Sequence, residues 1–427
     1  MAGIISLILG GGQGTRLFPL TQHRSKPAVP VGGKHRLVDI PISNCLNSGL
    51  NQVYVLTQSA SVSLHRHISN TYKFDPFHHA FVELLAAQQT LTSKSWYQGT
   101  ADAVRQNLAR VVDEKADHVL ILSGDQLYRM DFRDLVKTHL TTGADATICT
   151  IPVRREDALG FGILQVDARG RIVAFSEKPK EPEVLERLKV PAEQWRAIGI
   201  EPRGRELWAN MGIYLFRASV LIDLLEKTQH VDFGKDVFPS MLKSHHLQTH
   251  LFDGYWEDLG TIGSFHKANI DLASEHPQFE FHVPGGVIYT RARFLPGSRV
   301  VGAKVSECLI GDGAIVERDA ILEKTVLGVR SRIASGVELR ECVVLGADFY
   351  ESDAEKADNR LKGIPDVGIG KDSKLERAIV DKNCRIGAGV QIRAMSDRPE
   401  SESELWVIRD GIVVIPKGAI IPDGTVI

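Results

Sequence analysis

Leu309-Ile310-Gly311-Asp312-Gly313-Ala314-Ile315-Val316-Glu317-Arg318-Asp319-Ala320-Ile321 opens a stretch in which an aliphatic residue returns every six positions. The series runs Leu309, Ile315, Ile321, Leu327, Ile333, Leu339, Leu345, resumes at Val380, Ile386 and Ile392, and again at Ile415, Ile421 and Ile427. A period of six fits neither an α-helix nor a strand with one buried face. It is the hexapeptide period of a parallel β-helix, in which each aliphatic side chain stacks inside the coil on its neighbours. Ordinary short strands aligned by chance would not hold one spacing over seven consecutive turns. Between the two runs, Ala347 to Asp366 is polar and ends in Gly363-Ile364-Pro365-Asp366, which predicts a segment looping out of the coil.

Working back toward the N-terminus, the first ~285 residues read as strands alternating with helices, the pattern of a mostly parallel sheet. Ile4–Leu9, Gln52–Thr57, His118–Ser123 and Asp145–Ile151 are short aliphatic runs bounded by turn residues, as strands buried on both faces should be. Gly99–Lys115 and Asp131–Thr142 read as helices, the second opened by Asp131. Val184–Ile198, charged and punctuated by proline, reads as a surface excursion. The expected organisation is an α/β domain over 1–285, a linker over 286–298 containing a short strand, and a β-helix over 299–427.

The 427 residues include 51 Lys plus Arg and 53 Asp plus Glu, a formal charge of -2. Such a balance gives no basic footprint for nucleic acid or an anionic membrane, although a local basic pocket remains possible. No apolar run is long enough to span a bilayer. The run Ile4–Leu9 is too short and lacks the preceding positive charge of a signal or transit peptide. Five dispersed cysteines, none in CxxC, argue against a disulfide framework or a cysteine zinc site. A cytoplasmic protein is expected.

The strongest chemical signal follows the first strand: Gly10-Gly11-Gly12-Gln13-Gly14-Thr15-Arg16-Leu17. It matches neither the dinucleotide fingerprint nor the Walker loop. Glycines packed this densely bring backbone N–H groups close to an anion, and Arg16 adds a fork for phosphate. Lys26, just before Pro27, taken alone is better explained by a surface lysine. Asp125 ends the strand motif Leu120-Ile121-Leu122-Ser123-Gly124, at the edge where open α/β sheets bind ligands. It suits Mg²⁺ or a plain turn equally. Asp258, in Trp256-Glu257-Asp258-Leu259-Gly260-Thr261, is a candidate second metal carboxylate, but spacing alone does not bring it to Asp125. Glu177-Lys178-Pro179 at a strand end suits an anionic substrate. The histidine pairs lack partners at metal spacing.

Together these segments resemble the sugar-nucleotide pyrophosphorylases, and within them the ADP-glucose pyrophosphorylases. Gly11–Leu17 marks the broad superfamily. Narrower are Lys26-Pro27-Ala28-Val29-Pro30, Arg36-Leu37-Val38-Asp39-Ile40-Pro41, Ser43-Asn44-Cys45-Leu46-Asn47-Ser48, Gly99-Thr100-Ala101-Asp102, Asp232-Phe233-Gly234-Lys235-Asp236 and Tyr255–Thr261. The C-terminal Asp410-Gly411-Ile412-Val413-Val414 to Ile427 looks like the cyanobacterial and plant branch.

The resemblance implies a Rossmann-like nucleotidyltransferase domain followed by a left-handed β-helix. It also implies Mg²⁺-dependent transfer of AMP from ATP to glucose 1-phosphate, with Arg16, Lys26 and Asp125 catalytic and Mg²⁺ on Asp125 and Asp258. ATP would lie on Leu9, Gly10, Gly11, Gly12, Gly14, Thr15, Gln58 and Gly99. Glucose 1-phosphate would lie on Tyr97, Gly162, Glu177, Lys178, Asn210, Tyr214, Asp232, Phe233 and Trp256. Asn210 departs from the Ser of some bacterial relatives, which leaves its sugar contact open. Small anionic effectors, 3-phosphoglycerate and phosphate, would act through Arg24, Arg36, Arg66, Lys382, Arg385 and Lys417 in a homotetramer. The rival reading of Lys382 and Lys417 is that they merely solvate a coil edge. Alternatives are a pyrophosphorylase for UDP- or dTDP-sugars and a non-catalytic regulatory subunit, the latter disfavoured because Arg16, Lys26, Asp125 and Lys178 are all present. An acyltransferase is disfavoured too, since His282 is the last histidine and precedes the repeats.

Overall fold

The computed structural model describes residues 3–12, 14–75, 77, 79–87, 96–393 and 399–427. Gln13 of the glycine loop lies outside them.

Four aliphatic strands run parallel in the order Phe81–Ala86, Gln52–Thr57, Ile4–Leu9, His118–Ser123. Their side chains are buried on both faces at the centre, which is why the runs read as continuously apolar. The sheet continues to nine strands through Leu207–Arg217, which is antiparallel to His118–Ser123, Ala146–Val153 and Gly162–Val166. Helix Phe132–Thr142 starts where Asp131 accepts from the Arg133 amide and stops at Gly143, held at φ 63°. Gly99–Lys115 is two short helices, Thr100–Arg105 and Leu108–Asp113, rather than one. Val184–Ile198 is no mere surface excursion. It carries parts of two short helices, Pro182–Arg187 and Ala192–Ile198, and buries Leu185, Leu188, Val190 and Trp195, the last packed on Trp208 at 4.5 Å. The strand expected within 286–298 is absent. That segment is irregular and runs along the catalytic domain, where the Tyr289 amide donates to Ser43 Oγ and Asn47 Nδ2 to the Val287 carbonyl.

The C-terminal part is a parallel β-helix whose coil is seventeen residues long. Ile310 pairs with Leu327, Leu327 with Val344, Val316 with Ile333 and Leu322 with Leu339, each partner seventeen positions on. The inward steps are therefore six, six and five, and a strict six-residue series drifts out of phase. Leu327, Ile333 and Leu339 do face inward. In the preceding coil the stacked residues are Ile310, Val316 and Leu322, one place after Leu309, Ile315 and Ile321. Leu345 points instead into the cluster shared with the catalytic domain. The insert leaves the coil after Val344, as expected, and contains helix Asp353–Leu361, opened by a Ser352–Glu355 capping box.

The two halves pack as one body. Phe265, Leu272, Val343, Leu345, Ile379, Ile412 and Val414 belong to a single buried cluster that also includes the catalytic core.

Candidate active site

Leu9 lies opposite Leu56 on one side and Ser123 on the other, so three strand ends stand side by side. That edge carries the glycine loop, Gln58 and Asp125 together. Within the loop, Gly14 sits at φ 63°, and a methyl group there would come 2.8 Å from Thr21 Cγ2. Tyr97 is buried alongside: its ring would lie 4.0 Å from a methyl on Gly11, and its hydroxyl accepts from Asn107 Nδ2 at 3.0 Å. Gln58 Oε1 is buried with no hydrogen-bond partner among the described residues. Gly99 is required by close approach, because a Cβ would lie 2.5 Å from the Val231 carbonyl oxygen.

What spacing could not decide is settled by a small ribbon. Gln126–Tyr128 pairs antiparallel with Trp256–Asp258, placing Asp258 opposite Gln126, next to Asp125. Lys26 Nζ donates to Asp125 Oδ2 and stands 3.8 Å from Asp258 Oδ1. Lys26 is therefore no free surface lysine. Ser123 Oγ donates to the other Asp125 oxygen, a contact the sequence reading missed. Arg16 approaches from the 3₁₀ turn Thr15–Leu17, near enough that a methyl on Gly260 would touch both its guanidinium and Asp258 at 3.0 Å. Burial opposes charge on Asp125, but Lys26, the Ser123 bond and Arg16 outweigh it and hold the carboxyl below the usual range. Burial and the charge of Asp125 push Asp258 the other way, above it. Two carboxylates at unequal tension beside one lysine form a donor set suited to a hard divalent cation.

Residues 177, 210, 214, 232 and 233 form a second cluster. The Glu177 carboxylate lies where methyls on Gly162 and Gly234 would come within 2.7 Å and 2.6 Å of it. Burial chiefly, with Asp232 adding to it, raises its pKa. Asp232 caps its turn by accepting from the Gly234 and Lys235 amides, and takes a further bond from Thr100 Oγ at 3.1 Å. Thr100 was missed as well, although its place in Gly99-Thr100-Ala101-Asp102 was the available signal. Tyr214 and Phe233 pack at 5.5 Å as an aromatic floor, and the Tyr214 hydroxyl accepts from Asn210 Nδ2 at 2.9 Å. Asn210 is thus occupied within the protein, its Oδ1 accepting from the Gly212 amide. Lys178, strained at φ 48°, leaves its ammonium exposed 4.0 Å from Glu177. Trp256 packs edge-on to Phe161, whose carbonyl accepts from the Lys178 amide at 3.0 Å, in a cavity of about 460 Å³ shared with Arg16 and Asp258.

Residues 5–275 match the family model described as nucleotidyl transferase. The chain belongs to the nucleotidyl transferase family. Residues 293–426 of this nucleotidyl transferase match the GLGC left-handed parallel beta-helix domain, and the combination is typical of ADP-glucose pyrophosphorylase-type proteins. No helix among the described residues is long and apolar enough to cross a membrane.

A further cavity of about 600 Å³ lies where the nucleotidyl transferase domain meets the β-helix. Arg24, Arg36, Arg66, Arg291, Arg293, Arg330, Lys382 and Lys417 line it, with Asp348 as the one carboxylate among the described lining residues. Arg24 is buried against Asp381 at 2.9 Å, yet its Nη2 has no partner among the described residues. Burial pushes the Lys382 ammonium down to about 8. Arg385 is not part of the cavity: its guanidinium is held by Glu351 and the Pro365 carbonyl, each at 2.7 Å. Arg291, Arg293 and Arg330 were missed. The Arg-x-Arg pattern before Phe294 was the only sequence signal.

Proposed function

We propose that this nucleotidyl transferase moves AMP from ATP to glucose 1-phosphate, releasing pyrophosphate and giving ADP-glucose, an activated donor for glycogen or starch synthesis. A phosphate oxygen of glucose 1-phosphate attacks the α-phosphorus of ATP, and the bond from that phosphorus to the bridging oxygen of the leaving pyrophosphate breaks. Catalysis of this kind rests on positioning and charge neutralisation. The observation that carries the reading is the convergence of Lys26, Arg16, Asp125 and Asp258 beside the glycine loop. Arg16 and Lys26 would stabilise charge on the departing pyrophosphate. Asp125 and Asp258 would hold Mg²⁺, which when bound neutralises phosphate charge.

The backbone N–H groups of Gly11, Gly12 and Gly14 with Thr15 would cradle the triphosphate, Gly10 bordering it while its own N–H stays on the Leu56 carbonyl at 2.7 Å, and Gln58 and Gly99 would border the base. Buried Gln58 Oε1, an acceptor without a partner, supports an amino-bearing base such as adenine. Glu177, Lys178, Asp232, Tyr214 and Phe233 would hold the sugar phosphate, the Lys178 ammonium meeting its phosphate. The basic cavity would take 3-phosphoglycerate or phosphate as effectors. The unpaired buried donor on Arg24 supports an anionic occupant there.

The test is pyrophosphate release from glucose 1-phosphate with each nucleoside triphosphate and Mg²⁺, with and without 3-phosphoglycerate. ATP-selective release raised by the effector is the expected result. Release with UTP or dTTP would move the substrate. No release from folded protein with any nucleotide would overturn the reading in favour of a regulatory subunit.

A further inference from the structure

Seven of the eight cations around the basic cavity belong to two sets that differ in how they are neutralised. Arg36, Arg66, Arg291, Arg293 and Arg330 have no carboxylate within ion-pairing distance among the described residues, while both lysines are engaged by one side chain, Asp348. Asp348 Oδ1 accepts from Lys382 Nζ at 2.7 Å, and Oδ2 from Lys417 Nζ at 3.0 Å and from Asn383 Nδ2 at 3.1 Å. This is the bonding pattern of a bound anion, supplied by the chain itself.

We propose that Asp348 is an internal occupant of the basic cavity, so that an incoming anion binds by exchange and must displace the Asp348 carboxylate from Lys382 and Lys417. The inference rests on the reading of this cavity as an effector site. Three features favour exchange over a permanent brace. Asp348 is 43 % exposed on its side chain, so it has room to leave. The backbone beside it is anchored without the carboxylate, the Ala347 amide donating to the Val329 carbonyl at 2.9 Å. One monovalent carboxylate also leaves five arginines unneutralised, so the cavity still attracts anions and rewards one that carries two charges over one that carries one. Burial opposes charge on Asp348, but the two lysines hold its carboxyl well below the usual range, so it competes as an anion at every pH of interest.

Asp348 opens the polar insert, whose root is fastened elsewhere: Tyr350 donates to the Gly313 carbonyl at 2.8 Å, and Glu351 binds Arg385 and the Val367 amide. Displacement would thus move a side chain and leave the insert attached.

The test is calorimetric titration of the full-length protein with inorganic phosphate at fixed ionic strength, comparing wild type with Asp348→Asn and Asp348→Ser. Thermal unfolding confirms that each variant is folded, and two variants guard against the loss of one. Exchange predicts phosphate binding at least about fivefold tighter in the variants, since a competing negative charge is gone. Equal or weaker binding in the folded variants would overturn the proposal and make Asp348 a brace for the lysines. No phosphate binding by wild type or variants would overturn the effector-site reading itself, and the proposal with it.

Discussion

Asp125 and Asp258 are 133 positions apart in the sequence and one strand apart in the fold, and only the ribbon of Gln126–Tyr128 on Trp256–Asp258 brings them together. Each residue type was legible from its motif. Their meeting was not, because antiparallel pairing between distant segments leaves no periodic trace. Lys26 shows the same limit, a lysine of ordinary appearance whose role depends on a partner 99 residues away. Replacing Asp125 by Asn keeps its shape and removes the charge that balances Lys26. Pyrophosphate release should fall at least about 100-fold, the scale of losing one preorganised electrostatic group. Rates at saturating Mg²⁺ and substrates check it, with circular dichroism to show the fold intact.

Lys382 allows a second prediction at this scale. Its ammonium titrates near 8, and only the protonated form contributes positive charge to the cavity. Affinity for sulfate, which stays dianionic, should therefore fall as pH rises through that value, by about three- to tenfold between about pH 7 and 9. Lys382→Met should flatten the profile. A wild-type affinity independent of pH over this range would show that Lys382 does not meet the anion.

At the scale of the element, the six-residue period revealed the β-helix but misplaced part of its core. A coil of seventeen residues cannot keep a strict period of six, and the error accumulates by one residue per coil. The sequence series points to Ile321, whereas the stacking points to Leu322, which is 1 % exposed and packed with Val316 and Leu339. Leu322→Ala should cost about 2–5 kcal/mol in denaturant unfolding, and Ile321→Ala distinctly less. The reverse order would restore the six-residue phase. Val184–Ile198 was misjudged for a related reason: its prolines and charges are real, but Trp195 and Leu185 anchor its helices, and two buried side chains outweigh a polar majority.

At the scale of the whole molecule, the halves that differ so plainly in sequence period do not stand apart. Their apolar residues share one cluster, and Arg24 reaches from the catalytic domain to Asp381 of the β-helix, the two side chains only 4 % and 1 % exposed. Two residues further along, Lys26 stands at the paired carboxylates, so one short stretch connects the domain interface to the active site. No periodicity announces such a contact, since it depends on how the domains dock. A buried ion pair need not be worth much against a well-packed apolar pair, but removing one partner leaves a charge uncompensated in a dry place. Arg24→Met should therefore destabilise by about 3–5 kcal/mol, and Asp381→Leu similarly, while the two combined should recover most of the loss. Denaturant unfolding of the four proteins measures the cycle. If the double variant is as unstable as the sum of the singles, the pair holds the domains together through its charges, and the shared apolar cluster does not suffice.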